Sequence, residues 1–99
     1  MILFEWDNAK AESNWRKHGI TFDTAQLAFD DPFALTELDR IADGEERWQT
    51  IGLVGATTVL IVAHTIEGGT IEKIRIISAR RATRPEKIRY EDNRQKNAW

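Results

Sequence analysis

Three strand-like runs, at residues 47–54, 57–66 and 72–80, follow one another with almost no chain between them. Gly55-Ala56 separates the first pair and Glu67-Gly68-Gly69-Thr70 the second, both short and glycine-bearing, as hairpin turns are. A reversal that tight admits only antiparallel neighbours, because a parallel pair needs a crossover of roughly a dozen residues or more. The sequence is expected to build an antiparallel meander, and the remaining segments must pack on its faces.

Ahead of the meander, Ile2-Leu3-Phe4-Glu5-Trp6 predicts a short first strand. Asp7 can cap a helix over residues 8–18 by accepting from its unpaired first N–H groups, and Gly19 can end it in the left-handed conformation. Ala11, Trp15 and His18 recur at helical spacing and predict its packed face, with Lys10, Asn14 and Lys17 on the wetter one. A second helix starts within 21–27, with Asp23 as cap, Gln26 completing a capping box, and Phe22 and Leu27 as a hydrophobic staple; Thr21 is a rival cap. Asp30-Asp31-Pro32 ends it, since the residue before a proline is pushed out of helical geometry.

Residues 33–38 read as a short strand, and the acidic stretch 39–46, which contains Gly44, as a loop. After the meander, Thr83-Arg84-Pro85-Glu86 is a capping-box pattern with proline in the first turn. It opens a helix to Asn93 or a little beyond, whose only large apolar groups are Ile88, Tyr90 and Trp99. The expected fold class is α+β: an antiparallel β-sheet of four to five strands with two N-terminal helices and a C-terminal helix. Residues 1–99 have the length of one domain with a modest core.

Several chemistries are excluded at once. The chain has no cysteine, hence no disulfide or thiolate chemistry, and its two histidines are too far apart in sequence to suggest a zinc site. No glycine-rich loop joins a strand to a helix, so nucleotide binding of the Walker or Rossmann kind has no support. Asp39, Asp43, Glu45 and Glu46 lack calcium-loop spacing and read as a solvated turn. No cofactor and no metal are expected. The apolar run 59–63 is too short to span a bilayer, and the first residues lack the pattern of a signal peptide, so a cytoplasmic protein is expected.

The net charge of -2 conceals a division. Residues 1–72 carry five basic and thirteen acidic side chains, whereas residues 73–99 carry nine basic and three acidic. That asymmetry suits either a polyanion-binding edge on a soluble scaffold or a solvated helix neutralised across the fold. Strict alternation along 72–80 puts Lys73, Arg75, Ile77 and Ala79 on one face and Ile74, Ile76, Ser78 and Arg80 on the other. Ile74 and Ile76 are expected to meet the helices, leaving Arg75 on the open face. Arg80 lies near the strand end, where the chain can splay outward.

Arg47, His64, Arg75 and Arg80 can converge on one concave surface if the strand register allows. Metal-independent RNA cleavage asks for such a set: a group to take the 2′-hydroxyl proton, cations for the developing phosphorane charge, and a donor for the 5′-oxygen. Arginine suits the second task because its planar fork binds two phosphate oxygens and stays charged. Histidine suits proton transfer near neutral pH, and Tyr90 can donate a proton or stack on a base. Each has a structural reading beside the chemical one. Arg75 can pair with a carboxylate across the sheet, His64 can be a satisfied core histidine, and His18 can serve the helix dipole. Trp6, Trp15 and Trp48 suit core or lid positions.

The pieces Phe4-Glu5-Trp6-Asp7, Lys10, Asn14, Lys17-His18-Gly19, Phe22 and Ala25 stand in an order that resembles the N-terminal signature of BrnT toxins. Phe29, Asp31-Pro32, Gly44-Glu45, Arg47, Ile51-Gly52, His64-Thr65 and the run Arg75 to Arg80 continue the likeness, and Ala82, Glu86 and Tyr90 complete it. The resemblance implies the toxin of a type II toxin–antitoxin pair, with a RelE-like fold and a ribonuclease activity that stops translation. It also implies a BrnA-like antitoxin, a small DNA-binding protein that occludes the toxin, with operator DNA contacted chiefly by the antitoxin. On that basis Arg75, Arg80, His64 and Tyr90 are the expected catalytic residues, with Lys17, Arg47 and Arg81 contacting RNA. Arg84 is expected at RNA or partner contacts. Glu67 stands where many relatives place an arginine, which favours a second expectation: an inactive homologue that binds the antitoxin and acts as co-repressor.

Overall fold

Strand β1 (Ile2–Trp6) leads into helix α1 (Asn8–His18), and helix α2 (Phe22–Ala25) runs directly into a 3₁₀ turn (Gln26–Asp30). Strands β2 (Leu35–Ala42), β3 (Glu45–Val54), β4 (Thr58–Glu67) and β5 (Glu72–Arg81) follow, then helix α3 (Arg84–Lys96). The coordinates are a computed structural model that describes residues 1–97, so Trp99, expected as an apolar group of the last helix, lies outside the described residues.

The sheet order is β1-β5-β4-β3-β2. Strands β2 to β5 form the expected antiparallel meander, and β1 joins β5 in parallel. Most of the chain lies between those two strands, which gives the long crossover that a parallel pair requires. The stretch 39–46 is not a loop. Asp43 (φ 53°) and Gly44 (φ 76°) both take left-handed conformations, as a two-residue hairpin turn demands, so β2 runs on to Ala42 and β3 starts at Glu45.

Local signals account for the helix ends. Asp7 accepts from the N–H groups of Ala9 and Lys10, and Gly19 closes α1 at φ 65°. Thr21, not Asp23, caps α2 by accepting from Thr24 N–H, and one turn later the helix tightens to 3₁₀. Thr83 and Glu86 cap α3 reciprocally, as expected.

Side chains alternate along β4 between two apolar clusters. Leu60 and Val62 join Ile20, Phe22, Ala25, Ala28, Ile74, Ile76 and Ala79 beneath α1, α2 and the 3₁₀ turn. Val59 and Ile61 join Ile51 and Tyr90 beneath α3. The first helices thus cover one face of the sheet, and α3 covers part of the other.

Helix α1 packs differently from its apolar pattern. Trp15 is 55% exposed and His18 is exposed, while Asn14 is buried to 5%. The cause is an incomplete edge, because β1 stops at Trp6, opposite Ile76, and leaves the end of β5 without a strand on that side. Asn14 stands in for the missing strand. Its Oδ1 accepts from Ala79 N–H (2.9 Å), and its Nδ2 donates to Ala79 C=O (2.9 Å) and Ile20 C=O (3.1 Å).

Gly52 is required for a different reason. A Cβ there would overlap the backbone oxygen of Ala28, where the 3₁₀ turn presses on β3. Gly52→Ala is expected to destabilise the protein by about 1–3 kcal/mol, the usual range for overpacking, measurable by urea unfolding.

Candidate active site

A β-bulge decides where the arginines of β5 point. Ala63 pairs with Ser78 but His64 pairs with Ile76, so Ile77 is an extra residue with no partner on β4. Alternation reverses there. Ala79, not Arg80, joins Ile74 and Ile76 in the core, and Arg80 stands opposite Ile61 on the α3 face. Arg75, opposite Thr65, lies on that same face. The two arginines that strict alternation separates are brought to one side.

Helix α3 sits over the apolar end of this face, beside Ile51, Val59 and Ile61, and Arg75 and Arg47 lie beyond it. There Glu45, the first residue after the hairpin turn, gathers two cations on one oxygen. Arg75 Nη2 donates to Glu45 Oε1 at 2.7 Å, and Arg47 Nε lies 3.3 Å from that atom. The second contact is an ion pair without hydrogen-bond alignment, and among the described residues Arg47 Nε is buried with no hydrogen-bond partner. An open cavity of about 300 Å³ adjoins the cluster, lined among others by Glu5, Glu45, Thr65, Glu67, Lys73 and Arg75. The two guanidinium groups share one carboxylate, and Glu5, Glu46 and Glu67 line the same cavity, so the cations here stand among acidic neighbours that partly offset their charge.

Arg80 shares the face but is already engaged. It donates to both carboxylate oxygens of Glu86, at 2.7 and 2.9 Å, tying β5 to the start of α3. Those hydrogen bonds from Arg80 hold the Glu86 carboxyl down to about 2. Arg89 pairs with Glu37 through a single nitrogen from the middle of the helix, and holds that carboxyl low as well.

The other expected residues lie elsewhere. His64 is fully buried on the opposite face, edge-on to Phe29 with ring centroids 4.9 Å apart. Its Nδ1 faces the Thr65 carbonyl, which can only accept, so Nδ1 carries the hydrogen and Nε2 accepts from Thr50 Oγ1 at 2.8 Å. Thr50 in turn is bonded to Thr36. Burial pushes His64 below its ordinary value and keeps it neutral. The sheet separates it from Arg75, so Arg47, Arg75 and Arg80 share a face without His64.

Tyr90 is also fully buried, and its hydroxyl donates to Asp31. Burial, then the Asp31 bond, push the phenol well above its usual value. Burial would raise Asp31 too, but the Tyr90 hydroxyl and the N–H groups of Leu53 and Phe33 outweigh it and hold the carboxylate low. Lys17 lies across the β5 edge, in a shallow cavity with Lys10, Ile77 and Ser78. Arg81 is on the α1 side and reaches the His18 carbonyl at 3.4 Å.

Sequence reasoning missed Glu45, assigned to a solvated turn. The Asp43-Gly44 dipeptide was the available signal, since it predicts a hairpin that puts Glu45 on a strand. Among the described residues, no three His, Asp or Glu side chains are grouped to hold a metal ion. No helix among them is long and apolar enough to cross a membrane.

Fold and site together define a small α+β protein with arginines gathered on a half-covered sheet face. Residues 6–86 match the family described as the ribonuclease toxin, BrnT, of type II toxin-antitoxin systems, and the chain belongs to that family. It is similar to the crystal structure of the Brucella abortus ribonuclease toxin BrnT, with a TM-score of 0.64 and 28% identity over 85% of this chain and 99% of that one. No curated protein matches the chain in sequence. The resemblance and the α+β architecture read from the sequence are both borne out.

Proposed function

We propose that this member of the BrnT family is a metal-independent endoribonuclease that inhibits translation in the cytoplasm. The observation that carries the reading is the convergence of Arg75 and Arg47 on one anionic oxygen at an open cavity. The Glu45 oxygen stands where a phosphate oxygen of RNA would be received, and fixed guanidinium groups there stabilise charge that develops in the transition state. Lys17 and Lys10, across the β5 edge, would offer further cations to the RNA backbone. Arg80 supports the site by anchoring α3. A BrnA-like antitoxin would occlude this face, and operator DNA would be contacted through the toxin–antitoxin complex.

A second reading, an inactive homologue kept as antitoxin partner and co-repressor, is favoured by Glu67, which brings a further negative charge to the cavity. One experiment separates the two. Purified protein incubated with total RNA and excess chelator is expected to yield discrete fragments. Intact RNA in the same incubation would overturn the nuclease reading and leave the co-repressor.

A further inference from the structure

Resting on the nuclease reading, we propose that Glu45 is the proton acceptor of the cleavage reaction and not only a partner of the arginines. Three observations support this. Glu45 is the carboxylate that touches both Arg75 and Arg47, so a phosphate bound by those guanidinium groups must lie against it. Its side chain is 42% exposed at the cavity wall and therefore has room to turn from the arginines to a ligand. Finally, it follows a two-residue turn at the tip of the β2–β3 hairpin, where it is only half-buried.

RNA chemistry brings the rest. The 2′-hydroxyl is carried by the carbon next to the one that bears the scissile phosphate, so a base beside the phosphate's own ligands is within reach of it. The incoming phosphate takes over the arginine hydrogen bonds, which releases the carboxylate. The 2′-OH proton then passes to Glu45 Oε, the O2′–P bond forms, and the P–O5′ bond breaks. The departing 5′-oxygen takes a proton from a water molecule. The products are a 2′,3′-cyclic phosphate and a free 5′-hydroxyl, and Glu45 returns its proton to solvent.

His64 and Tyr90 are the other groups that sequence offers for this task. The first is neutral but sealed on the opposite face, and the second is buried with its hydroxyl committed to Asp31. Charged groups facing Glu45 are Arg75 and Lys73 from β5, Arg47 and Glu46 from β3, Glu5 from β1 and Glu67 from β4.

The test compares wild type with Glu45→Gln, which keeps the size of the side chain and an oxygen that can accept from the arginines. Three quantities are measured: single-turnover cleavage of an RNA oligonucleotide, binding of the same oligonucleotide with a 2′-deoxy cleavage site, and the pH profile of the rate. The variant should cleave about 10²–10⁴-fold more slowly, the usual range for a lost general base, and bind the uncleavable oligonucleotide within threefold of wild type. The wild-type pH profile should show an acid limb that the variant lacks.

Cleavage by Glu45→Gln within threefold of wild type, or an acid limb that survives in it, would overturn the proposal. A rise in both rate and binding would also overturn it and make Glu45 a competitor of the phosphate. A loss of binding as large as the loss of rate would reduce Glu45 to holding the arginines. Wild-type protein that does not cleave at all would remove the nuclease reading itself, a result distinct from the others.

Discussion

Arg75→Ala is expected to lower RNA cleavage about 10²–10³-fold, the loss seen when one fixed donor to a developing oxyanion is removed. Stability should hardly change. The Arg75 side chain is 40% exposed, and its one ion pair, with Glu45, is of the kind that contributes about 0–1 kcal/mol. The two effects separate cleanly, which makes the substitution informative: single-turnover cleavage falls while the urea unfolding midpoint stays put. Arg75→Lys should recover only part of the rate, since an ammonium restores charge without the planar fork. Undiminished cleavage by the alanine variant would mean that the phosphate is received elsewhere.

Asn14→Leu should have the largest effect on stability. The substitution keeps a side chain of comparable size on α1 but removes the amide that completes the β5 edge. Ala79 N–H, Ala79 C=O and Ile20 C=O would each lose a partner in a buried setting. At about 1–3 kcal/mol for each buried group left unsatisfied, the cost is about 3 kcal/mol or more. Native domains have only about 5–15 kcal/mol to lose, so urea unfolding would register it plainly. A change below about 1 kcal/mol would mean that solvent already reaches this edge.

Much of the fold was legible because its signals are local. Asp7 and Gly19 bound α1, Thr83 and Glu86 open α3, and the glycine-bearing turns between β3, β4 and β5 fix their antiparallel pairing. The errors arose where a long-range partner overrules a local pattern. Trp15 is apolar yet exposed, and Asn14 is polar yet buried, because the unpaired end of β5 needs hydrogen bonds more than the helix face needs a ring. The loop assigned to 39–46 concealed a hairpin that its own Asp43-Gly44 dipeptide announces.

The site was harder to read for the same reason. Arg75 and Arg47 could be named from the sequence, but no residue announces the bulge at Ile77 that brings Arg80 onto their face. His64 looked like a proton carrier because a histidine on a strand is chemically able. Its parity within β4 faces it inward, where Thr50 and the Thr65 carbonyl satisfy it.

The attachment of α3 has a consequence for how the helix responds to dissolved salt. Ile88 of this helix is 51% exposed, and Tyr90 is its one buried residue. Two partly exposed ion pairs, Arg80–Glu86 and Arg89–Glu37, tie its first turns down, whereas the Tyr90–Asp31 bond beneath it is shielded. Dissolved salt weakens exposed pairs and leaves a shielded bond nearly untouched, with a screening length of about 8 Å at physiological ionic strength. Beyond these, Asn93 donates to the Phe33 carbonyl at 3.4 Å and Arg94 stands over the Phe33 ring, so the later turns are held by contacts of another kind. Raising the ionic strength is therefore expected to weaken the hold on Glu86 and Glu37 while Tyr90 keeps the helix on the sheet.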